Sequence, residues 1–273
     1  MAGTYSALAA RVATAAVLIA ALLAALFLAP APLLAVIIAV LVGFAGHEWA
    51  RLCKLGAGAA WSYAAVIGIA SLLLYWAPPP LHRAVFLAGA AFWVALVPVW
   101  LWNGVRASAV PLAAGGFVVL LPAALAMMVL PVAAVLAVLV LVWVADIAAY
   151  FVGSRFGRHK LAPSISPGKT WEGAGGALAG VLVYATICGM LVPVVRDALT
   201  GSAGAWSGYL AAAAGLCAFS IVGDLFESAA KRQAGVKDSG TLLPGHGGIL
   251  DRIDSATAAL PLAALLWPLV GGQ

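Results

Sequence analysis

Residues 131–157 read PVAAVLAVLVLVWVADIAAYFVGSRFG. From Pro131 to Ala145 nothing is charged, a single acid (Asp146) interrupts the apolar run, and the first basic residue is Arg155. An α-helix needs about 20 mostly apolar residues to cross the hydrocarbon of a bilayer. This stretch has that length, so it reads as a membrane pass over 131–153.

The same reading extends along the chain. Nine apolar runs are expected to span, at roughly 12–29, 32–50, 60–77, 82–102, 109–129, 131–153, 172–193, 205–229 and 255–271. Pro30 and Pro32 divide the first two runs, and Pro131 divides the fifth from the sixth, because proline removes a helical hydrogen bond and clashes with the preceding turn. Residues 12–50 also admit one long kinked helix plus a re-entrant piece. Arg11, the apolar run and Ala29-Pro30-Ala31 resemble a secretion signal, but the run is long for one and further spans follow, so cleavage is not expected. The composition agrees: 65% of the 273 residues are hydrophobic and 8% are charged, with a mean hydropathy of +1.12. Soluble domains run nearer about 45–50% apolar and about 25% charged. An ordinary soluble domain, a disordered chain and a nucleic-acid-binding domain are excluded. The expected fold is an all-α polytopic integral membrane protein of about nine transmembrane helices. Cys53, Cys188 and Cys217 are scattered, which argues against a disulfide framework or a zinc site.

Charge placement sets the expected orientation. With nine passes, one side collects Arg11, Arg51, Lys54, Arg106, Arg155, Arg158, Lys160, Lys169, Lys231, Arg232, Lys237 and Arg252, and the other holds Arg83 and Arg196. The basic-rich side is cytoplasmic. The amino terminus shares it, and the location implied is the plasma (inner) membrane with the polar clusters facing the cytoplasm.

Of the 23 charged residues, 17 lie between Trp143 and Ser255. The chain therefore divides into residues 1–130, which anchor and pack, and residues 131–273, which carry the chemistry. The long Ala/Leu surfaces of the first part leave room for a homodimer without requiring one. His47, Glu48 and Arg51 end the second pass and read as a snorkelling helix end.

Three clusters carry the polar residues. In 143–157, Asp146, Tyr150 and Gly153 share a helix face. An ionisable group inside an apolar run is costly, so Asp146 is a functional candidate, with a structural hydrogen bond as the alternative. In 164–180, SISPGKTWEGAGGALAG, Gly168-Lys169-Thr170 invites a Walker A reading. That motif needs a glycine where Pro163 stands and a preceding strand, and none is expected. What remains is a Ser-Pro-Gly turn, Lys169 and a helix opening at Thr170 to Gly173, whose N–H groups suit an anion. Glu172 there fits a cation or a nucleotide hydroxyl better than bare phosphate. Gly175, Gly176 and Gly180 make a close-packing face.

The third cluster, GDLFESAAKRQAGVKDSGTLLPGHGGILDRIDS over 223–255, is the densest. Asp224, Glu227, Ser228 and Lys231 form one stripe at the end of the eighth pass, within roughly a 100° arc. Lys237, Asp238 and His246-Gly247-Gly248 follow. Asp251, Arg252, Asp254 and Ser255 then open the ninth pass. Carboxylates at two facing helix ends suit a hard cation; magnesium takes one or two of them with phosphate oxygens and water. The glycines let backbone approach a ligand closely. A loop of balanced salt bridges is the bland alternative.

With these residues in view, the chain resembles the phosphatidate cytidylyltransferases, or CDP-diacylglycerol synthases. Their signature stands here as Ser228, Lys231-Arg232, Lys237-Asp238, His246-Gly247-Gly248, Asp251-Arg252 and Asp254. Ala230 replaces a usual larger aliphatic. The clusters around Asp146 and Ser166-Pro167-x-Lys169-Thr170-x-Glu172-Gly173 also look like that family's. The resemblance is specific over about 143–255 and rests on hydropathy and length before that.

It implies CMP transfer from CTP to phosphatidic acid, giving CDP-diacylglycerol and pyrophosphate. Asp224 and Asp251 are then the main magnesium ligands, with Glu227 and Asp254 as weaker candidates. Lys169, Lys231, Arg232 and Lys237 hold triphosphate or lipid phosphate. Asp146, Glu172 and Asp238 orient ligands or bind a second cation, such as K+. Thr170, Ser228, Gly247, Gly248 and Arg252 complete the substrate-binding set, and His246 either contacts phosphate or shapes the turn. The partners implied are CTP, phosphatidic acid and membrane lipids, with no nucleic acid. A CTP-dependent polyprenol kinase or an ether-lipid cytidylyltransferase would use similar clusters. An ion-coupled transporter fits less well, because the charge is lopsided and interfacial rather than at the midplane.

Overall fold

A computed structural model describes residues 2–103, 109–243, 245 and 247–269. In chain order the elements are α1 (Ala2–Leu28), α2 (Ala31–Leu52), α3 (Ala57–Tyr75) and α4 (Pro79–Ala91). A π-helical turn (Phe92–Leu96) runs on into α5 (Val97–Trp102). Then come α6 (Ala109–Val129), α7 (Val132–Phe156), β1 (Lys160–Ala162), β2 (Ser166–Thr170), α8 (Trp171–Leu191), α9 (Pro193–Leu199), α10 (Ala203–Ala234) and α11 (Leu250–Leu266). A final 3-10 turn follows at Trp267–Leu269.

The protein is a mostly helical, polytopic membrane protein. Over their described residues the nine apolar runs fall on helices, and seven of these helices are long and apolar enough to cross a membrane. In α1 the apolar part is the shorter stretch Val12–Leu28, and α11 has 17 residues. Residues 12–50 form two helices, separated at Ala29-Pro30; Pro30 is the N-cap of α2. Pro131 likewise precedes α7. Arg106 of the orientation argument lies outside the described residues.

The all-α expectation needs one correction. Lys160–Ala162 pairs antiparallel with Ser166–Thr170, with Lys160 opposite Thr170 and Ala162 opposite Ser166. Ser166-Pro167-Gly168 is therefore strand rather than turn, and the reversal sits at residues 163–165. A strand does lead into α8, contrary to expectation. Gly168-Lys169-Thr170 lies within that strand, so the glycine-rich loop of a Walker A site is still lacking. Short polar strands of this kind leave no hydropathy signal.

Three helix pairs pack closely: α2 with α3, α7 with α8, and α10 with α11. Small residues permit the approach. A Cβ at Gly176 would lie 2.5 Å from Val152 Cγ2, and one at Gly223 would lie 2.7 Å from the Asp254 carbonyl oxygen. Gly176 and Gly180 thus pack on α7 as expected, whereas Gly175 meets nothing. The α10–α11 contact at Gly223 is what sets the two polar helix ends side by side. With 32 residues, α10 is about 48 Å long at 1.5 Å per residue. That exceeds the roughly 30 Å hydrocarbon layer. The excess carries its polar stripe beyond the apolar depth.

Behind the stripe lies an aromatic cluster. Phe226 stacks on Trp100 at 5.5 Å and meets Phe92, Trp93 and Trp49 at 5.6, 5.7 and 6.0 Å between centroids. The π-helical turn places Phe92 and Trp93 in it; such single turns re-aim side chains within a helix. Trp49 Nε1 donates to the Leu112 carbonyl at 2.8 Å, joining α2 to α6. The three cysteines are free, with Cys53 and Cys217 buried.

Candidate active site

The site forms where the end of α10, the start of α11, the β-hairpin and the middle of α7 converge. Asp224, Glu227, Ser228 and Lys231 share the α10 face as the spacing requires. Lys231 Nζ lies 2.6 Å from Asp251 Oδ1 and 3.3 Å from Glu227 Oε1, closing α10 onto α11. Lys169, at the end of β2, reaches across to Asp224 Oδ2 at 2.6 Å. Ser228 Oγ donates to Asp224 Oδ1 at 3.2 Å. The two pairs differ in burial. Lys231 and Asp251 side chains are 10% and 4% exposed, whereas Lys169 and Asp224 are 23% and 27% exposed.

Asp254 lies against Glu227 and within electrostatic reach of Asp224. Its Oδ1 accepts from the Ser255 N–H at 2.7 Å. Both Glu227 carboxyl oxygens are buried and accept no hydrogen bond, with the Lys231 ammonium as the neighbouring charge. Buried polar atoms are nearly always partnered in folded proteins. Glu227 is thus left with the Lys231 ammonium at 3.3 Å and the adjoining Asp254 carboxyl as its polar neighbours. Asp146 is exposed, in electrostatic reach of Asp224, Asp254, Lys169 and Arg252.

Other expected site residues do local work. Thr170 caps α8 by accepting from the Gly173 N–H at 3.1 Å. Glu172 accepts from the His159 backbone N–H at 3.2 Å and pairs with His159 Nδ1 at 2.7 Å, tying the start of α8 to the residue before the hairpin. Arg232 is exposed; it donates to the Ile165 and Val236 carbonyls, at 3.3 and 3.1 Å, and ties the hairpin to the segment after α10. Lys237, Asp238 and Arg252 are exposed. His246 lies outside the described residues.

The glycines and Asp251 act differently from their reading in sequence. Asp251 Oδ2 accepts from the Ser239 N–H and the Gly248 N–H, both at 2.9 Å, and from Ser239 Oγ at 3.0 Å. With Oδ1 on Lys231, both its oxygens are engaged. Gly247 has φ +81°, and a Cβ on it would lie 2.6 Å from Asp251 Oδ2. A Cβ on Gly248 would strike Ser239 Oγ and both Glu48 carboxyl oxygens. The close approach these glycines permit is to carboxyl groups of the chain itself.

Glu48 is the residue that sequence reasoning missed. It does not snorkel. It is 6% exposed and accepts from the Ile249 N–H at 3.0 Å, the Leu250 N–H at 2.8 Å and Ser239 Oγ at 3.0 Å. Its neighbours follow the expectation better: Arg51 is exposed and donates to the Leu55 carbonyl, and His47 stacks on Trp61 at 4.2 Å. The criterion that singled out Asp146, an acid in an apolar run, would have found Glu48 too.

Among the described residues no three His, Cys, Asp or Glu side chains form a ready-made metal cage. The donor set still fits a hard cation, which takes one or two carboxylates plus oxygens from phosphate and water. Asp224, Glu227 and Asp254 offer carboxyls, and Glu227 lacks hydrogen-bond donors. Lys169 pairs with Asp224, and Lys231 lies 3.3 Å from Glu227.

The site is a cluster of carboxyls and lysines at helix ends in a polytopic membrane protein, and the class is that of integral membrane enzymes. The chain belongs to the cytidylyltransferase family, whose model matches residues 9–270. It is 42% identical to a phosphatidate cytidylyltransferase of Pseudomonas aeruginosa, over 94% of this chain and 96% of that protein. A Haemophilus influenzae protein of the same name is 50% identical over 45% of this chain and 42% of its own length. One from Thermotoga maritima is 42% identical over half of each.

Proposed function

We infer that the chain transfers CMP from CTP to phosphatidic acid. A phosphate oxygen of the lipid bonds to the α-phosphorus of CTP, the bond from that phosphorus to the bridging oxygen breaks, and pyrophosphate leaves with CDP-diacylglycerol as the product. The lipid phosphate is already anionic, so no strong base is required. The task is to neutralise and align two anions. The observation that carries this reading is the meeting of Lys169 and Lys231 with Asp224, Glu227, Asp251 and Asp254 where α10 packs on α11.

In this reading Lys169 and Lys231 hold the triphosphate or lipid phosphate, with Arg232, Lys237 and Arg252 around the rim. Asp146 and Asp238 orient ligands. Magnesium, when bound, neutralises phosphate charge and stabilises the leaving pyrophosphate. Asp224, the more exposed of the two main aspartates, would hold it. Asp251, more buried than Asp224, would share the ion with it while holding Lys231 and the 239–248 segment, and Glu227 and Asp254 would be the further carboxyls. A second, monovalent cation such as K+ fits the same acidic set. Residues 131–273 form the catalytic part and residues 1–130 the anchoring part. Nine passes with a cytoplasmic amino terminus put the clusters at the inner leaflet of the plasma (inner) membrane, where CTP and the lipid headgroup meet. Association as a homodimer through the anchoring helices is consistent with this arrangement.

The test is incubation of purified protein with labelled CTP and phosphatidic acid. CDP-diacylglycerol and pyrophosphate are expected. Release of CDP would make the protein a kinase, and no reaction with phosphatidic acid but reaction with an ether lipid would move the acceptor.

A further inference from the structure

We propose that Glu48, on α2 in the anchoring half, is a positioning residue of the site: it fixes the segment 239–250 and, through Ser239 and Gly248, the Asp251 carboxyl that holds Lys231. Its Oε1 takes the Ile249 N–H and its Oε2 takes the Leu250 N–H and the Ser239 hydroxyl. These are the N–H groups at the start of α11, which have no partner within their own helix. Glu48 thus acts as the N-terminal acceptor of α11 from a helix some 200 residues away in sequence.

The geometry is specific to a carboxyl of this length. Cβ atoms on Gly240 and Gly248 would both collide with the Glu48 head group, so the segment is built around it. Ser239 joins the two acids. Its Oγ lies 3.0 Å from Glu48 Oε2 and 3.0 Å from Asp251 Oδ2, and a hydroxyl has a single proton to donate. Glu48 holds Ser239 and the start of α11 without using Asp251, so the segment stays in place when Asp251 exchanges partners. A glutamine cannot replace it. In either amide orientation its NH2 faces at least one backbone N–H, of Ile249 or Leu250, and leaves that donor unpaired.

The kinetic part rests on the CMP-transfer reading; the exchange part does not. Full-length protein in detergent is compared as wild type, Glu48→Gln, Ser239→Ala and the double variant. For Glu48→Gln, kcat is expected to fall about 10–100-fold, the range for outer-shell partners of a site, with KM for phosphatidic acid changed by less than about 3-fold. The Ile249 and Leu250 amides are expected to exchange hydrogen about 5-fold faster or more, as befits the loss of one hydrogen bond, while α3 amides keep their rates. The double variant should be no more than about 3-fold slower than the worse single, because both act through one connection. Unchanged exchange at Ile249 and Leu250, or multiplicative losses in the double variant, would overturn the proposal. If Glu48→Gln does not fold, Ser239→Ala alone decides: it must lower kcat without moving KM for phosphatidic acid, and unaltered kcat refutes the connection. An inactive wild type with faster Ile249 and Leu250 exchange in Glu48→Gln would sink the transfer reading and leave the positioning role standing.

Discussion

The two lysines of the site look alike in sequence and differ in what surrounds them. Lys231 is sandwiched by Glu227 and Asp251 in near-complete burial. Lys231→Met leaves two carboxyls without their cation, and breaking such a buried pair costs about 3–5 kcal/mol. A clear fall in Tm is expected along with loss of turnover. Lys169 and Asp224 are partly open, and partly exposed pairs contribute little to stability. Lys169→Met should abolish CMP transfer with Tm nearly unchanged. The same contrast holds for the acids: Asp224→Asn should lower kcat more than about 100-fold in a normally folded protein, whereas Asp251→Asn should also melt earlier, because an amide NH2 must face either Lys231 or the N–H groups of Ser239 and Gly248. Equal melting temperatures for the two asparagine variants would contradict the assignment. Asp224, Lys231 and Asp251 were legible in sequence because they repeat at helical spacing beside glycines. The engagement of Asp251 with backbone donors was not, since nothing in residue type distinguishes a carboxyl that faces a ligand from one that faces its own chain.

Among the elements, the contact of α7 with α8 decides where Asp146 stands relative to Lys169. Val152 fills the space that Gly176 leaves. Gly176→Ala is expected to destabilise by about 1–3 kcal/mol, the usual cost of overpacking. Val152→Ala in the same chain should recover most of that loss. Additive losses in thermal melts would show that the two helices do not meet there. Hydropathy located these helices because their lengths match the bilayer, and Pro30 and Pro131 broke them as proline chemistry requires. It did not show the hairpin of 160–170, whose strands are short and polar. Nor did it show the π-helical turn at Phe92–Leu96, which runs up to Pro98, a residue with no N–H for the helical ladder.

At the scale of the molecule, charge asymmetry predicts that the hairpin and the segment after α10 face the cytoplasm. A cysteine introduced at Ser164 in a cysteine-free background should be labelled by an impermeant thiol reagent in inverted vesicles and not in intact cells, and one at Ser202 should show the reverse. The reaction is expected to stop in excess EDTA and resume with added magnesium; full turnover in EDTA would remove the cation from the scheme. Lys169 rests on Asp224, and Lys231 rests on Glu227 and Asp251. A triphosphate that binds either lysine would share or displace an acid already resting on it, and a displaced acid would need a new counter-charge. In the proposed reaction, nucleotide and divalent ion would then exchange partners with these residues together, and each is expected to tighten the other's binding by the same factor.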